Sequence, residues 1–156
     1  MNRLPLFALV MLCGCAGKPP LPDAQRIQGD WVVVDFQSPM GSEDRGQRRK
    51  RAIITEGTWS EQFQGDTFED FEYTLDPNKS PKEIDLIFTH MSGRRLTIRG
   101  IYELPDADHI GDALRVCFGS PPVIEKDKKV EFVESVRPTV FEAKTGPLIR
   151  YRRKTE

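Results

Sequence analysis

From Trp31 onward, apolar and aromatic side chains recur at every second position in short runs separated by turn-forming residues. That alternation constrains the fold more than any other feature of the chain. A strand sends successive side chains to opposite faces, so a period of two marks one buried face and one solvated face. The runs cover residues 31–36, 51–55 and 58–63, then Phe71-x-Tyr73-x-Leu75, Ile84-x-Leu86-x-Phe88, and Leu96, Ile98, Tyr102 and Leu104 around Gly100. Leu114, Val116 and Phe118 follow, and residues 140–141 and 148–152 close the series. Glu56-Gly57 suits a tight hairpin turn, and Asp76-Pro77-Asn78 is a strong turn signal. No stretch keeps a 3.6-residue period long enough for a full helix; one short helical turn is expected around residues 21–27.

Eight or nine short strands at a spacing of about 8–12 residues read as an antiparallel sandwich or barrel. Sequential hairpins favour an up-and-down β-barrel of about eight strands, because closure removes exposed strand edges. A barrel of that size is either filled by its own side chains or holds one small ligand. The alternating set Phe71, Tyr73, Ile84, Leu86, Phe88, Leu96, Ile98 and Tyr102 is expected to supply the lining.

The N-terminus carries an address. Arg3 precedes an apolar stretch from Leu4 to Leu12, and Cys13-Gly14-Cys15 comes next. The stretch is shorter than the roughly 20 residues that span a bilayer, and its order is that of a secretory signal. Leu12-Cys13-Gly14-Cys15 resembles the lipobox of bacterial lipoproteins. The resemblance implies cleavage before Cys15, lipid on that cysteine, and a membrane as partner. The expected organisation is a signal peptide over 1–14, a lipidated Pro-rich tether over 15–25, and one barrel domain over 26–156. With Cys13 removed and Cys15 acylated, Cys117 has no partner for an internal disulfide, so the domain must stand on its core. Cys117 itself sits in an apolar run and reads as a small inert hydrophobe.

Further resemblances lie inside the domain. Gly29-Asp30-Trp31 opens it as lipocalin-like proteins open, with Gly-x-Trp at the first strand. The segments Tyr73-Thr74-Leu75-Asp76-Pro77, Ser80-Pro81-Lys82-Glu83-Ile84-Asp85-Leu86, Gly100-Ile101-Tyr102-Glu103-Leu104, Leu114-Arg115-Val116-Cys117-Phe118 and Arg137-Pro138-Thr139 together resemble an uncharacterised lipocalin-like small-domain family of planctomycete bacteria. That family carries no assigned chemistry, so the resemblance implies a barrel and no activity. In lipocalins an arginine of the last strand packs across the tryptophan. Arg150 or Arg152 is expected in that role, contributing about 0.5–2 kcal/mol as a cation–π contact that closes the barrel end.

Nothing in the chain points to catalysis. Asp106, Asp108, His109 and Asp112 fall close together, but Ile110 stands where a calcium loop wants an oxygen. The cluster reads better as a turn between strands. His90 and His109 lack Cys or His neighbours at metal spacing, and neither a Gly-x-Ser-x-Gly elbow nor a phosphate-binding glycine loop is present. No metal and no cofactor is expected. Arg45, Arg48, Arg49, Lys50 and Arg51 form one basic block, read as a solvated loop or as a contact to anionic headgroups at about 1 kcal/mol per residue. A formal net charge of -1 gives no argument for nucleic acid as a partner. The expectation is a non-enzymatic, membrane-anchored envelope lipoprotein whose barrel binds a small apolar ligand or lipid. The alternative is a filled barrel acting as a structural or interaction domain.

Overall fold

The computed structural model describes residues 21–39, 50–64, 66–105, 113–126 and 129–154. Cys15 with its lipobox, most of the tether, residues 45–49 of the basic block, and the Asp106–Asp112 cluster with His109 lie outside the described residues.

Alternation becomes strand almost wherever it occurs. The barrel strands are β1 (Gly29–Gln37), β2 (Lys50–Ile54), β3 (Thr58–Phe63), β4 (Asp66–Asp76), β5 (Lys82–Thr89), β6 (Arg95–Glu103), β7 (Ala113–Phe118) and β10 (Leu148–Arg153). They close in the order β1-β10-β7-β6-β5-β4-β3-β2 with every pairing antiparallel, the all-β, lipocalin-like up-and-down architecture that the period of two calls for. The β2–β3 turn forms at Glu56-Gly57, where Thr55 N–H donates to the Thr58 carbonyl at 2.9 Å. Asp76 closes the fourth strand by accepting from Asn78 N–H at 3.1 Å.

Two elements depart from the sequence reading. Residues 140–141 form no strand; Phe141 instead anchors a strap, residues 133–147, laid over the outer face of β6, β7 and β10. Two adjacent apolar residues have no alternation to support a strand, and Phe141 lies under the Arg115 guanidinium at 4.7 Å. In place of that strand, β8 (Val123–Lys126) and β9 (Lys129–Phe132) make a separate two-stranded hairpin ahead of the strap. Its Phe132 meets the β5–β6 turn, edge-on to His90 at 5.3 Å and beneath Arg94 at 4.5 Å.

The strap also explains Cys117. Ile101, Cys117 and Leu148 stand side by side in register on the outer face, where Phe141 and Ala143 cover them as a second small core. Burial pushes the Cys117 thiol up, which keeps it protonated and unreactive. Arg137 pins the strap by donating to the carbonyls of Ile84 at 3.2 Å and Gly100 at 2.5 Å, and it pairs with Asp85 at 2.5 Å.

One end of the barrel is closed. The short helix α1 (Asp23–Arg26) caps it, as expected for residues 21–27. Asp23 accepts from Lys82 Nζ at 2.7 Å and from the Tyr102 hydroxyl at 2.8 Å. Burial raises the Asp23 carboxyl, but the Lys82 and Tyr102 hydrogen bonds and the charges of Lys82 and Arg26 outweigh it and hold the group below its ordinary value. Trp31 is fully buried beside this cap and donates from Nε1 to the Ile27 carbonyl at 2.8 Å.

The cation over Trp31 is Arg153, at 4.3 Å from the ring, and not Arg150 or Arg152. Ile149 and Tyr151 point into the barrel, so residues of their parity face inward, while Arg150 and Arg152 are exposed on the outer face. Arg153 also donates to the carbonyls of Gln28 at 2.7 Å and Arg26 at 2.6 Å. Gly29 is required beneath it. Its φ is +144°, and a Cβ there would run into the guanidinium.

Candidate functional site

The opposite end of the barrel is hollow. A cavity of about 340 Å³ enters between the C-terminal half of β1, the start of β2, the end of β3 and the base of the strap. Its apolar wall comes from Val33, Phe36, Phe71, Leu86, Ile98, Phe118 and Ile149, with Pro121 and Pro147 at the rim. The floor is aromatic. Trp59 meets Tyr151 edge-on at 5.7 Å and Phe118 at 6.4 Å, and both of those partners line the cavity. Such edge-to-face contacts add about 0.5–1.5 kcal/mol beyond burial, so the floor is a rigid surface.

Of the expected lining residues, Phe71, Leu86 and Ile98 do line the cavity. Phe88 backs the wall by stacking edge-on against Phe71 at 5.8 Å. The others fall elsewhere. Ile84 and Tyr102 are packed solid in the half of the barrel nearer α1, and Tyr73 binds the Thr55 carbonyl through its hydroxyl at 3.0 Å beside the β2–β3 turn. Leu96, half-buried near the β5–β6 turn, is part of neither the packed core nor the cavity wall among the described residues. Alternation marks the inward face along a whole strand, whereas the cavity occupies only the half of the barrel far from α1.

The polar members of the wall escaped the sequence reading. Lys50, Glu61 and Glu69 line the cavity together with Tyr151. Glu61 shares the inward parity of Trp59, two residues before it, and stands directly opposite Glu69 across the β3–β4 pair. A register shift follows at once, between Glu61 and Gln62. Bulges of this kind re-aim side chains and gather beside functional sites. Two like charges directly opposed across a sheet are destabilising. Burial raises the carboxyls of both Glu61 and Glu69, and the nearby Lys50 ammonium lowers each without cancelling the rise. Burial, with the Glu61 charge added, raises the Tyr151 phenol far above its ordinary value, so Tyr151 keeps its proton.

Below them, the Trp59 Nε1–H is fully buried, meets no acceptor at full hydrogen-bond geometry among the described residues, and is directed toward Glu61, whose charged form it favours. Among the described residues no three His, Cys, Asp or Glu side chains converge as metal ligands. The set can hold an apolar body, accept hydrogen bonds through two carboxylates, and donate one through a phenol. Comparison with known proteins adds no relative: no family model matches the chain, and no curated protein or solved structure matches it either.

Proposed function

We propose that this protein is a membrane-anchored lipoprotein of the cell envelope whose lipocalin-like barrel binds one small, mainly apolar ligand without transforming it. The observation that carries the reading is the cavity of about 340 Å³ inside a closed barrel. Ligand sites span about 300–1,000 Å³ and combine apolar walls with a few convergent polar groups, which is the composition found here. The open half of the interior weighs against a filled barrel serving only as a scaffold. The resemblance of Leu12-Cys13-Gly14-Cys15 to a lipobox supports the anchor, and Gly29-Asp30-Trp31 with Arg153 across the ring supports lipocalin kinship.

Native mass spectrometry of the lipidated protein, released from membranes in mild detergent, tests the binding half. A co-purifying small molecule, lost when Phe71 and Ile98 are both replaced by Trp to fill the cavity, is the expected result. The reading is overturned if neither a natural ligand nor an apolar naphthalene fluorophore occupies the wild-type barrel. For the anchor, labelled fatty acid should enter the wild type and not the Cys15→Ser protein.

A further inference from the structure

Among the described residues, the charges inside the cavity are unbalanced. Of the described side chains that face inward at its polar corner, Glu61 and Glu69 are acidic and Lys50 alone is basic. Arg51 also borders the cavity, but it lies on the outward parity of β2 and is committed to Asp30, with Nε donating at 3.0 Å. Two carboxylates thus share one lysine in a half-buried, mostly apolar space, and both remain harder to ionise than usual. Directly opposed carboxylates are selected against in ordinary sheets. A bound cation would remove the penalty, and an anion would deepen it.

We propose that the ligand is an amphipath with a protonated amine head, whose ammonium donates to Glu61 and Glu69 while its apolar body lies against Phe36, Phe71, Ile98 and Phe118. The inference rests on the binding reading above and deepens it by naming the ligand class. Two observations converge on it. The two carboxylates are cross-strand partners on the cavity face. The backbone is irregular immediately after Glu61. Among the described residues, Lys50 places one positive charge near both carboxylates and leaves the pair one short of neutrality. Tyr151, held in its protonated form, presents a neutral phenol to the same space.

The test compares octylamine, octanol and octanoate, which share an apolar tail and differ in head charge. Binding to the full protein is read by calorimetry at pH 7, and Trp59 emission reports occupancy from the cavity floor. Octylamine is expected to bind about ten-fold more tightly than octanol, the size of one charge-assisted hydrogen bond at the low end of its range, with octanoate weakest. In the E61Q/E69Q double variant octylamine should bind no more tightly than octanol, while a wild-type circular dichroism spectrum shows that the barrel is folded. Octanoate binding as tightly as octylamine, or an amine preference that survives the double substitution, overturns the charge inference and leaves the apolar pocket standing. Failure of all three probes overturns the pocket itself, and the charge inference falls with it.

Discussion

Glu61 and Asp23 are both carboxylates inside one small barrel, and their surroundings drive them in opposite directions. Asp23 receives a lysine and a phenol, so its charged form is favoured and its folding contribution is lost as pH falls below the ordinary carboxylate range, through its lowered folded value. Glu61 faces Glu69 across the sheet and is desolvated, so the folded state holds its proton more tightly than the unfolded chain does. A raised carboxyl contributes stability at low pH, and that contribution is lost as pH rises through its folded value. Glu61→Gln is therefore expected to stabilise the ligand-free protein at pH 7 by about 0.2–1 kcal/mol, the range for a cross-strand pair. The gain should vanish below the ordinary carboxylate range, as measured by urea unfolding at pH 7 and pH 3.5. A variant that is less stable at pH 7 would show that Glu61 is a structural ion-pair partner. This position was legible in principle: Trp59-x-Glu61 puts a carboxylate on the inward parity, as Lys50-x-Ala52-x-Ile54 does a lysine. A search for apolar alternation passes over charged residues that keep the same phase. The assignment of the cation at Trp31 failed for a related reason. Three of the last six strand residues are arginine, and only the inward burial of Ile149 and Tyr151 shows that Arg153 shares the tryptophan's face.

Strands and their turns were readable because each is specified locally, by alternation and by Gly, Asp, Pro and Asn at the reversals. The strap was not, since its structure depends on residues distant in sequence. Ser135 accepts from Arg99 N–H at 3.1 Å, and Arg137 reaches across to β5 and β6. Gly146 shows how tightly this element is seated. A Cβ there would fall inside contact distance of the Gly119 and Phe118 carbonyl oxygens, where backbone rather than a flexible side chain must give way. Gly146→Ala is accordingly expected to cost about 1–3 kcal/mol, the range for overpacking. Its local signature is Cys117, which the strap covers. Maleimide labelling of that thiol in the native protein should accelerate in the variant by more than the loss of global stability accounts for. Labelling that tracks global unfolding alone would mean that the strap does not lift independently of the barrel.

At the scale of the whole molecule, the two ends of the barrel have different tasks. The chain enters through α1, which seals one end with Asp23, Arg26 and the Trp31–Arg153 contact, and the cavity opens at the other end. If lipid on Cys15 holds the protein as proposed, the tether leaves from the sealed end. A Pro-rich segment spans about 3.1 Å per residue in its extended form, so the barrel stands off the bilayer with its mouth turned outward. The ligand then exchanges with the surrounding medium or with a partner, and is not drawn directly from the supporting leaflet. This can be measured in proteoliposomes with fluorophores on Gln25→Cys at the α1 end and Pro121→Cys at the rim, both exposed positions. Acylated Cys15 and buried Cys117 leave each introduced thiol as the reactive one. Headgroup-nitroxide lipids should quench the Gln25 label strongly and the Pro121 label weakly. Stronger quenching at Pro121 would place the mouth against the membrane, and the cavity would then be a site for extracting lipid from the bilayer itself. The sealed cap makes the first outcome the expected one, because the tether continues in sequence into α1, which lies at the sealed end of the barrel.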